Sequence, residues 1–355
     1  MKRITIEIGS SRYEALVGRG LLARLGGEVA KVVVPSSRCA VIADEKTASL
    51  FAEPVSRSLR DAGFDAVVIE VPAGERAKSL EQVARVCDQM AAAKLDRSAF
   101  VVAVGGGVVG DLAGFAAAIY HRGIPHVQVP TTLLAQVDSS IGGKTAVNTK
   151  TGKNLLGAVH QPTLVVADVG TLQTLPSREF NQGFAEIIKH AIIADPSIFD
   201  LLEQVDQADL TELVARNIEV KAAIVAEDEN DASGRRAVLN FGHTVGHAIE
   251  RAAGYGTMLH GEAVSLGIVA ACEVSVARAG LPEAQRTQVL AALRRFNLPT
   301  RLPQDFPRDE ILNAVAADKK FERGEVRFVV ASAFGSARLT NEVTLDDISV
   351  AVAKL

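Results

Sequence analysis

The stretch that most constrains the fold lies at residues 98–111, with the sequence SAFVVAVGGGVVGD. It begins as a short apolar run rich in valine and ends in glycines, a pattern typical of a strand buried on both faces of a parallel sheet. Neighbouring parallel strands need a crossover connection, which is usually a helix. The stretch therefore predicts an α/β fold in which strands and helices alternate.

The rest of the first half shows this alternation. Residues 4–8 and 13–18 have the pattern of a two-stranded β-ribbon. Further strands are predicted at residues 38–44, 65–72, 98–106, 126–130 and 163–168, and helices at residues 47–63, 79–95, 110–121 and 131–140. Ser79 and Gln82 form a capping-box pattern at the start of the second of these helices. Together these elements predict a Rossmann-like, doubly wound sheet.

The pattern changes near Pro176. Long helical patterns dominate beyond it, at residues 177–194, 210–228, 263–280, 283–296 and 309–318, and one strand is predicted at residues 326–334. A chain of 355 residues is long enough for two cores. We therefore predict an α/β domain at residues 1–176 and a mainly α-helical domain at residues 177–355.

Composition and charge argue against several classes of function. The formal net charge is −4 and no block of lysine or arginine is present, which argues against nucleic-acid binding and against attachment to a membrane surface. The longest apolar runs are interrupted by glycine and are too short to span a bilayer. Residues 1–10 alternate as a strand does and lack the pattern of a signal or transit peptide. Because Cys39, Cys87 and Cys272 are far apart in apolar surroundings, we expect reduced thiols and a cytoplasmic protein.

Three of the seven histidines, His243, His247 and His260, lie close together in the sequence. The first two share a helix face, and a hairpin of two helices would bring His260 opposite them. Converging neutral imidazoles suit a zinc-like divalent ion, and a carboxylate completes such a site. Glu186, on an otherwise apolar helix face, is the best candidate for that carboxylate, although a buried ion pair with Lys189 explains it as well. Packed or surface histidines without a metal are the alternative.

The glycines that end the strand at 98–106 suit the binding of a phosphate. Gly105, Gly107 and Gly110 fit the spacing GxGxxG, in which backbone N–H groups and a helix N-terminus approach a pyrophosphate. A tight strand-to-helix turn explains the same glycines. The next strand ends in Pro130 and two threonines instead of leading to an acidic residue, so we predict a dinucleotide site of a different design.

A second glycine-rich segment, at residues 138–145, ends in Gly-Lys-Thr like a P-loop. Asp138 stands where the Walker spacing requires glycine, which argues against an ATPase. Lys144, Lys153 and Asn154 lie within about ten residues of each other, and such a group suits a phosphorylated or otherwise anionic substrate. Solvated loop side chains are the alternative.

Five longer segments together resemble one family. They are GGGVVGDLAGF at 105–115, VPTTLLAQVDSSIGGKT at 129–145, QGFAEIIKH at 182–190, LNFGHTVGHAIE at 239–250 and LHGEAV at 259–264. In these motifs the chain is similar to the 3-dehydroquinate synthases, whose fold is shared with iron-containing alcohol and glycerol dehydrogenases. The resemblance implies a carbon–oxygen lyase that converts 3-deoxy-D-arabino-heptulosonate 7-phosphate to 3-dehydroquinate and phosphate. It also implies NAD and Zn²⁺ as cofactors, with Co²⁺ as an alternative metal, and a homodimer.

The resemblance also assigns roles to residues. It implies Glu186, His243 and His260 as the zinc ligands, so that His247 contacts the substrate instead of the metal. For NAD, in a cleft between the domains, it implies Asp44, Lys46, Glu75, Lys78, Gly106, Gly107, Val108, Val109, Gly110, Asp111, Thr131, Thr132, Lys144, Lys153, Thr171, Leu172 and Thr174. For the substrate it implies Asp138, Lys144, Asn154, Lys189, Lys221, Arg236, Asn240 and His247, with Arg122 at the phosphate and Lys320, or Lys319 beside it, near the carboxylate.

The chain departs from the family pattern at one place, and other functions stay open. The loop between Lys221 and Arg236 is one residue longer than is usual, and Arg235 stands where a hydrophobic residue is common, so the register of Lys221 is open. The alternatives are another sugar-phosphate cyclase, a metal-dependent polyol dehydrogenase of the same fold, and a nucleotide-binding module without catalysis. The predicted cluster of cationic side chains argues against a neutral polyol as the substrate.

Overall fold

The computed structural model describes residues 1–34, 38–205, 209–229, 234–254, 256–319 and 326–355. Its contacts divide the chain into two compact units. Unit 1 consists of Met1–Leu175 with Gln207–Ala222, and unit 2 of Pro176–Asp206 with Ala223–Leu355. The division near residue 176 that the sequence suggests remains a proposal. It assigns residues 207–222 to the second half, whereas their contacts group them with unit 1, because a helical pattern does not reveal which core a helix packs against.

The strands of the described residues are β1 (Lys2–Ile8), β2 (Ser11–Gly18), β3 (Arg38–Asp44), β4 (Asp65–Val71), β5 (Phe100–Gly105), β6 (His126–Pro130), β7 (Lys144–Val147), β8 (Leu156–Val159), β9 (Leu164–Asp168), β10 (Phe328–Ala333) and β11 (Ser336–Thr340). Seven of them form one sheet in the order β1-β2-β9-β6-β5-β3-β4. β1 pairs with β2 antiparallel, as the predicted ribbon requires, and the other neighbours in the sheet are parallel.

The α-helices of the described residues are α1 (Leu25–Val29), α2 (Glu45–Thr47), α3 (Glu53–Asp61), α4 (Leu80–Ala92), α5 (Gly107–Ile119), α6 (Ser177–Asn181), α7 (Gly183–Ile193), α8 (Ile198–Glu203), α9 (Thr211–Glu227), α10 (His243–Ala253), α11 (His260–Ala279), α12 (Glu283–Arg295), α13 (Arg308–Lys319) and α14 (Leu345–Ala353). The described part of the chain also contains two π-helical segments, at Ala48–Ala52 and Ala135–Ser139. None of the described helices combines the length and apolarity that crossing a bilayer requires.

The sheet of unit 1 has an apolar core on each face, which confirms the doubly wound prediction. Alternate residues of β5 point to opposite cores, Val102 and Val104 to one and Val101 and Ala103 to the other. Helices α1 and α3 cover the first face, while α4 and α5 cover the second. Because both faces are covered, β5 is buried at every residue, as its continuous apolar sequence predicts.

Local sequence signals account for most of the elements of unit 1. Ser79 is the N-cap of α4, as predicted, and its side chain accepts the backbone N–H of Gln82. The reciprocal bond of the predicted capping box is not made, because the N–H of Ser79 donates to the carbonyl of Ala77 at 2.8 Å. The helix predicted at residues 131–140 is present, and its main part is the π-helical segment Ala135–Ser139. The antiparallel pair of β7 and β8 was not predicted. β8 is four residues long and largely exposed, and its sequence LGAV lacks the alternation of apolar and polar residues that would indicate a half-buried strand.

Unit 2 is mainly helical, as predicted, and α10 packs against α11 as the expected helix hairpin. The predicted strand at 326–334 is β10, which pairs antiparallel with β11. β11 and α14 were missed at the sequence level. α14 begins at a capping box formed by Thr344 and Asp347, which is a signal that the sequence did contain.

Candidate metal site and nucleotide-binding edge

Unit 2 brings a carboxylate and two imidazoles together. Glu186 lies on α7, and His243 and His260 are the first residues of α10 and α11. The Nε2 atoms of His243 and His260 are 3.5 Å and 3.4 Å from Oε1 of Glu186. All three ligand atoms lie within 4.8 Å of one another. This is the set of zinc ligands that the family resemblance implies.

The distances fit a shared ion better than direct hydrogen bonds. Two ligands on a tetrahedral zinc with bonds of about 2.0–2.1 Å are about 3.3–3.4 Å apart. Glu186 is fully buried, and among the described residues its Oε1 has no hydrogen-bond donor. A buried carboxylate oxygen without a donor is costly unless a cation binds it. The residues present therefore fit a divalent metal ion.

The electrostatics keep the Glu186 carboxylate ionised. Burial by itself raises the pKa of Glu186, but the charge of Lys189 and the neighbouring imidazoles lower that pKa well below its usual range. Lys189 forms an ion pair with Oε2 of Glu186 and is itself buried. Burial lowers the pKa of His260, but Glu186 and Glu250 raise it to about 9. The ion pair of Glu186 and Lys189 and the histidine cluster therefore occur together. Lys189 binds Oε2 of Glu186, while Oε1 faces the two imidazoles.

Two glycines allow the helices of this site to approach closely. A Cβ on Gly261 would lie 2.1 Å from the carbonyl oxygen of Gln182, just before α7. A Cβ on Gly267 would lie 1.9 Å from the carbonyl oxygen of Gly242, just before α10. Real side chains do not fit at such distances. The two glycines of α11 therefore fix how near His260 comes to Glu186 and His243.

His247 and Glu250 extend the cluster along α10. The ring centroid of His247 lies 5.2 Å from that of His243 and 5.9 Å from that of His260, but His247 is exposed. Glu250 is buried, and its Oε2 lies 3.5 Å from Nδ1 of His260. Glu250 was missed at the sequence level, although its position seven residues after His243, two helical turns along, places it on the same face.

The remaining predicted substrate residues of unit 2 have different surroundings. Arg236 is buried, its backbone N–H bonds Oδ2 of Asp228 at 3.2 Å, and its Nη1 donates to the carbonyl of Glu229 at 2.7 Å. Asn240 is exposed at the end of the short helix Arg236–Asn240. The Lys319 side chain and Lys320 lie outside the described residues.

In unit 1 most of the residues that the resemblance assigns to NAD follow the carboxyl ends of parallel strands. Asp44 ends β3, the glycine-rich turn follows β5, Thr131 follows β6, and the helical segment Val169–Thr174 follows β9. Because these four strands are parallel, their carboxyl ends lie at one edge of the sheet. That edge is where ligands of doubly wound folds bind.

The glycine-rich turn opens α5, with Gly106 as the N-cap. A Cβ on Gly107 would lie 2.9 Å from Oγ of Ser139, so the turn is packed against the next helical segment. Lys78 forms an ion pair with Asp111 on α5, and burial raises the pKa of Asp111 despite that pairing. Glu75 accepts a hydrogen bond from Asn148 at 2.8 Å. These contacts hold four of the predicted NAD residues in one region of unit 1.

Other predicted NAD residues have structural partners. Asp44 caps the following helix by accepting the backbone N–H groups of Lys46 and Thr47, both at 3.0 Å. The hydroxyl groups of Thr171 and Thr174 donate to backbone carbonyls at 2.8 Å. Such bonds fix the backbone at this edge of the sheet.

Two predicted substrate residues meet in unit 1. Nζ of Lys221 lies 2.7 Å from both Oδ1 and the backbone carbonyl of Asp138. Lys144 and Asn154 are exposed near the hairpin of β7 and β8, and Lys153 is half-buried. Arg122 is exposed and has a positive φ of 71°, directly after His121 with a φ of 51°. Two successive left-handed residues other than glycine are uncommon and are characteristic of functional segments.

Family models match two consecutive parts of the chain. The model described as 3-dehydroquinate synthase N-terminal matches residues 68–182, and the model described as 3-dehydroquinate synthase C-terminal matches residues 183–321. The chain is 45% identical over 348 residues to the 3-dehydroquinate synthase of Pelobacter propionicus, and the match covers 96% of each protein.

Solved structures extend the comparison. A 2-epi-5-epi-valiolone synthase from Streptomyces hygroscopicus, solved with NAD⁺ and Zn²⁺ bound, is 32% identical with a TM-score of 0.87, and 99% of each chain is covered. An iron-containing alcohol dehydrogenase from Thermotoga maritima is 12% identical with a TM-score of 0.69, covering 98% of this chain and 99% of that one. The second likeness shows a shared fold alone.

Proposed function

The chain belongs to the 3-dehydroquinate synthase family, and from that premise we propose which of its residues perform the reaction. The enzyme is a carbon–oxygen lyase that converts 3-deoxy-D-arabino-heptulosonate 7-phosphate to 3-dehydroquinate and phosphate. The reaction proceeds by transient oxidation, elimination of phosphate, reduction, ring opening and an intramolecular aldol closure. NAD and a divalent metal ion, Zn²⁺ with Co²⁺ as an alternative, are its cofactors.

One observation carries the proposal for the metal. The Nε2 atoms of His243 and His260 lie 3.5 Å and 3.4 Å from the same buried carboxylate oxygen of Glu186. We assign these three residues as the zinc ligands. When bound, zinc would supply positive charge that stabilises an alkoxide, and NAD would supply reversible hydride transfer, so that no net redox change occurs.

For NAD we propose the edge of the sheet in unit 1. The support is the glycine-rich turn at the start of α5, whose N-cap is glycine and whose N–H groups can face a pyrophosphate. The 2-epi-5-epi-valiolone synthase that shares the fold was solved with NAD⁺ bound. We propose that Asp44, Lys78 and Asp111 flank that turn and that Thr131 and Thr171 line it.

For the substrate we propose separate tasks for the cationic and amide side chains. In unit 1, Lys144, Asn154 and Arg122 hold the phosphate as negative charge moves onto it during elimination. In unit 2, Arg236 and Lys189 hold the carboxylate and hydroxyl groups, with Asn240 and His247 beside them. Held in this way, the opened chain stays in a conformer that can close by the aldol step. The phosphate oxygens can take the proton that elimination releases, so no strong protein base is required.

We propose that the enzyme is a cytoplasmic homodimer. Supporting a second copy, the apolar side chains of Leu155, Leu156 and Val159 at the β8 hairpin are 61%, 39% and 49% exposed. Exposed apolar side chains grouped in this way are typical of interfaces. Sedimentation analysis of wild-type protein and of a Leu155→Asp variant tests the dimer, because the charge is expected to shift the protein towards monomer.

The experiment that tests the function measures phosphate release from the heptulosonate phosphate. Phosphate and 3-dehydroquinate are expected in equal amounts with NAD present, without net formation of NADH, and activity is expected to fall after dialysis against a chelator. The polyol dehydrogenase alternative is not favoured. It would be supported instead by net NADH formation from glycerol without phosphate release.

A further inference from the structure

Glu250 is a buried carboxylate that the assigned reaction does not use. Its side chain is 7% exposed and lies on α10, two turns after His243. Its Oε2 lies 3.5 Å from Nδ1 of His260, a contact with hydrogen-bond geometry that is longer than the usual N–H···O distance. On the other edge of the same ring, Nε2 of His260 lies 3.4 Å from Oε1 of Glu186. The imidazole of His260 is therefore flanked by a carboxylate at each nitrogen.

The backbone at His260 is held independently of Glu250. Glu262 accepts the backbone N–H of Leu259 at 2.9 Å, and Arg178 binds both oxygens of Glu262 at 2.6 Å and 2.7 Å. The N–H of Gly261 donates to Oε1 of Gln182 at 3.2 Å. These bonds fix the position of the backbone at His260. They do not decide how the ring is rotated or which of its nitrogens carries the proton.

A neutral imidazole has one N–H donor and one lone pair, on opposite nitrogens. A metal ligand must present the lone pair, so the proton must reside on the other nitrogen. A carboxylate that accepts the N–H at Nδ1 selects that tautomer, orients the ring and raises the basicity of Nε2. Glu250 lies at Nδ1 of His260, where the proton must be, and Glu186 lies at Nε2, which must present the lone pair to the metal.

We propose that Glu250 is a positioning residue that accepts the Nδ1–H of His260 and thereby directs the Nε2 lone pair to the metal. The inference rests on the proposed metal site of Glu186, His243 and His260. It adds a residue that acts on the metal through His260.

The same atoms also form a second group with metal-ligand spacing. Ligand atoms of His247, Glu250 and His260 lie within 4.8 Å of one another. A cation there together with one at Glu186 would need His260 to lose the protons of both nitrogens, which imidazole resists. His247 is also exposed, whereas Glu250 is buried. The observations therefore favour a hydrogen bond over a second ion, and metal stoichiometry separates the two.

The test compares the zinc affinity of Glu250→Ala and Glu250→Gln with wild type, after removal of metal and by competition with a chromogenic chelator. Loss of such a carboxylate typically weakens metal binding 10- to 100-fold, and this is expected for Glu250→Ala. The amide oxygen of glutamine can still accept the Nδ1–H, so Glu250→Gln is expected to retain most of the affinity. Nitrogen-15 shifts of His260 are expected to report an Nδ1–H tautomer in the wild type and in Glu250→Gln but a mixture in Glu250→Ala.

Glu273→Ala is the matched control for folding. Glu273 is a carboxylate on α11 that is as buried as Glu250, but its ion-pair partners among the described residues are Arg286 and Lys354, neither of which is a histidine. Its loss is expected to lower the melting temperature without changing zinc affinity. The inference is overturned if Glu250→Ala binds zinc as wild type does, if Glu273→Ala weakens zinc binding equally, or if the wild type binds two ions and Glu250→Ala binds one. Retention of stoichiometric zinc by His243→Ala would instead overturn the metal site itself.

Discussion

Gly267 of α11 lies so close to Gly242 that a Cβ on Gly267 would stand 1.9 Å from the Gly242 carbonyl oxygen. The same Cβ would stand 2.7 Å from the backbone nitrogen of Gly246. Since neither contact involves a flexible side chain, α10 and α11 would have to separate to admit a methyl group. The relationship connects a small residue in the middle of α11 to the distance between His243 and His260.

Gly267→Ala is therefore expected to destabilise unit 2 and weaken zinc binding together. Overpacking at a site that cannot relax costs about 3 kcal/mol. The measurements are the free energy of unfolding in denaturant and the zinc affinity. Gly27→Ala in α1 is the control, because a Cβ there meets nothing within 4 Å. A Gly267→Ala protein with the stability and zinc affinity of the wild type would show that the helices are not held by this contact.

Arg236 and Arg235 are neighbours with opposite surroundings, which makes them a matched pair. Arg236 is buried, while the side chain of Arg235 is 61% exposed beside Glu227. Hydrogen bonds to charged groups contribute about 1.5–3 kcal/mol, so Arg236→Ala is expected to raise KM for the substrate about 10- to 100-fold. Arg235→Ala is expected to change it little, and the NAD affinity of both variants is expected to match wild type. Equal KM values for the two variants would argue against a substrate role for Arg236.

The ion pair of Lys221 and Asp138 offers a second test in unit 1. Lys221→Met removes the Lys221 ammonium from the Asp138 carboxylate, which is 21% exposed. Breaking a buried ion pair on one side costs about 3 kcal/mol, and misplacing Asp138 is expected to lower kcat/KM about 100-fold. Arg216→Met on the same helix removes an exposed pair with Glu219 at 3.6 Å and is expected to cost much less. Similar losses in both variants would contradict a special role for Lys221.

His126 is expected to make stability depend on pH. Burial, with the charge of His160 second, lowers the pKa of His126 to about 3, whereas the unfolded value is about 6.5. Between these pKa values the unfolded state binds the extra proton. The contribution of His126 to the free energy of unfolding is thus fully present above about pH 6.5. Below that pH the free energy of unfolding falls by about 1.4 kcal/mol per pH unit, down to about pH 3.

The test is the slope of the unfolding free energy of unit 1 against pH. His126→Leu is expected to remove the contribution of about one proton to the slope below pH 6.5. Val127→Ala, at an equally buried neighbouring position, is expected to lower stability without changing the slope. An unchanged slope in His126→Leu would show that this histidine is protonated alike in the folded and unfolded states.

Particular residues show how far the sequence could predict this molecule. The strand β5 was predictable because a strand covered on both faces must be apolar at every position, and β5 is. The hairpin of β7 and β8 was not, because its strands of four residues depend on their pairing with each other and carry no apolar periodicity. The assignment of residues 207–222 to unit 1 likewise depends on packing between segments distant in sequence.

Part of the candidate metal site could likewise be predicted from the sequence, and part could not. The spacing of His243 and His247 and the isolated Glu186 pointed to a metal, but they did not distinguish which two histidines are ligands. That distinction came from the family resemblance, and the structure places His243 and His260 at Glu186 and leaves His247 exposed. Glu250 was not predicted to belong to the site, because an acidic residue on a helix is usually exposed and its burial here depends on the packing of α10 against α11.

The most direct test of the account is the zinc content of purified variants. We expect one zinc ion per chain in the wild type and in His247→Ala, and none in Glu186→Ala, His243→Ala or His260→Ala, with circular dichroism showing that the sheet of unit 1 remains folded. Stoichiometric zinc in the His243→Ala protein would contradict the assignment of Glu186, His243 and His260 as the metal site.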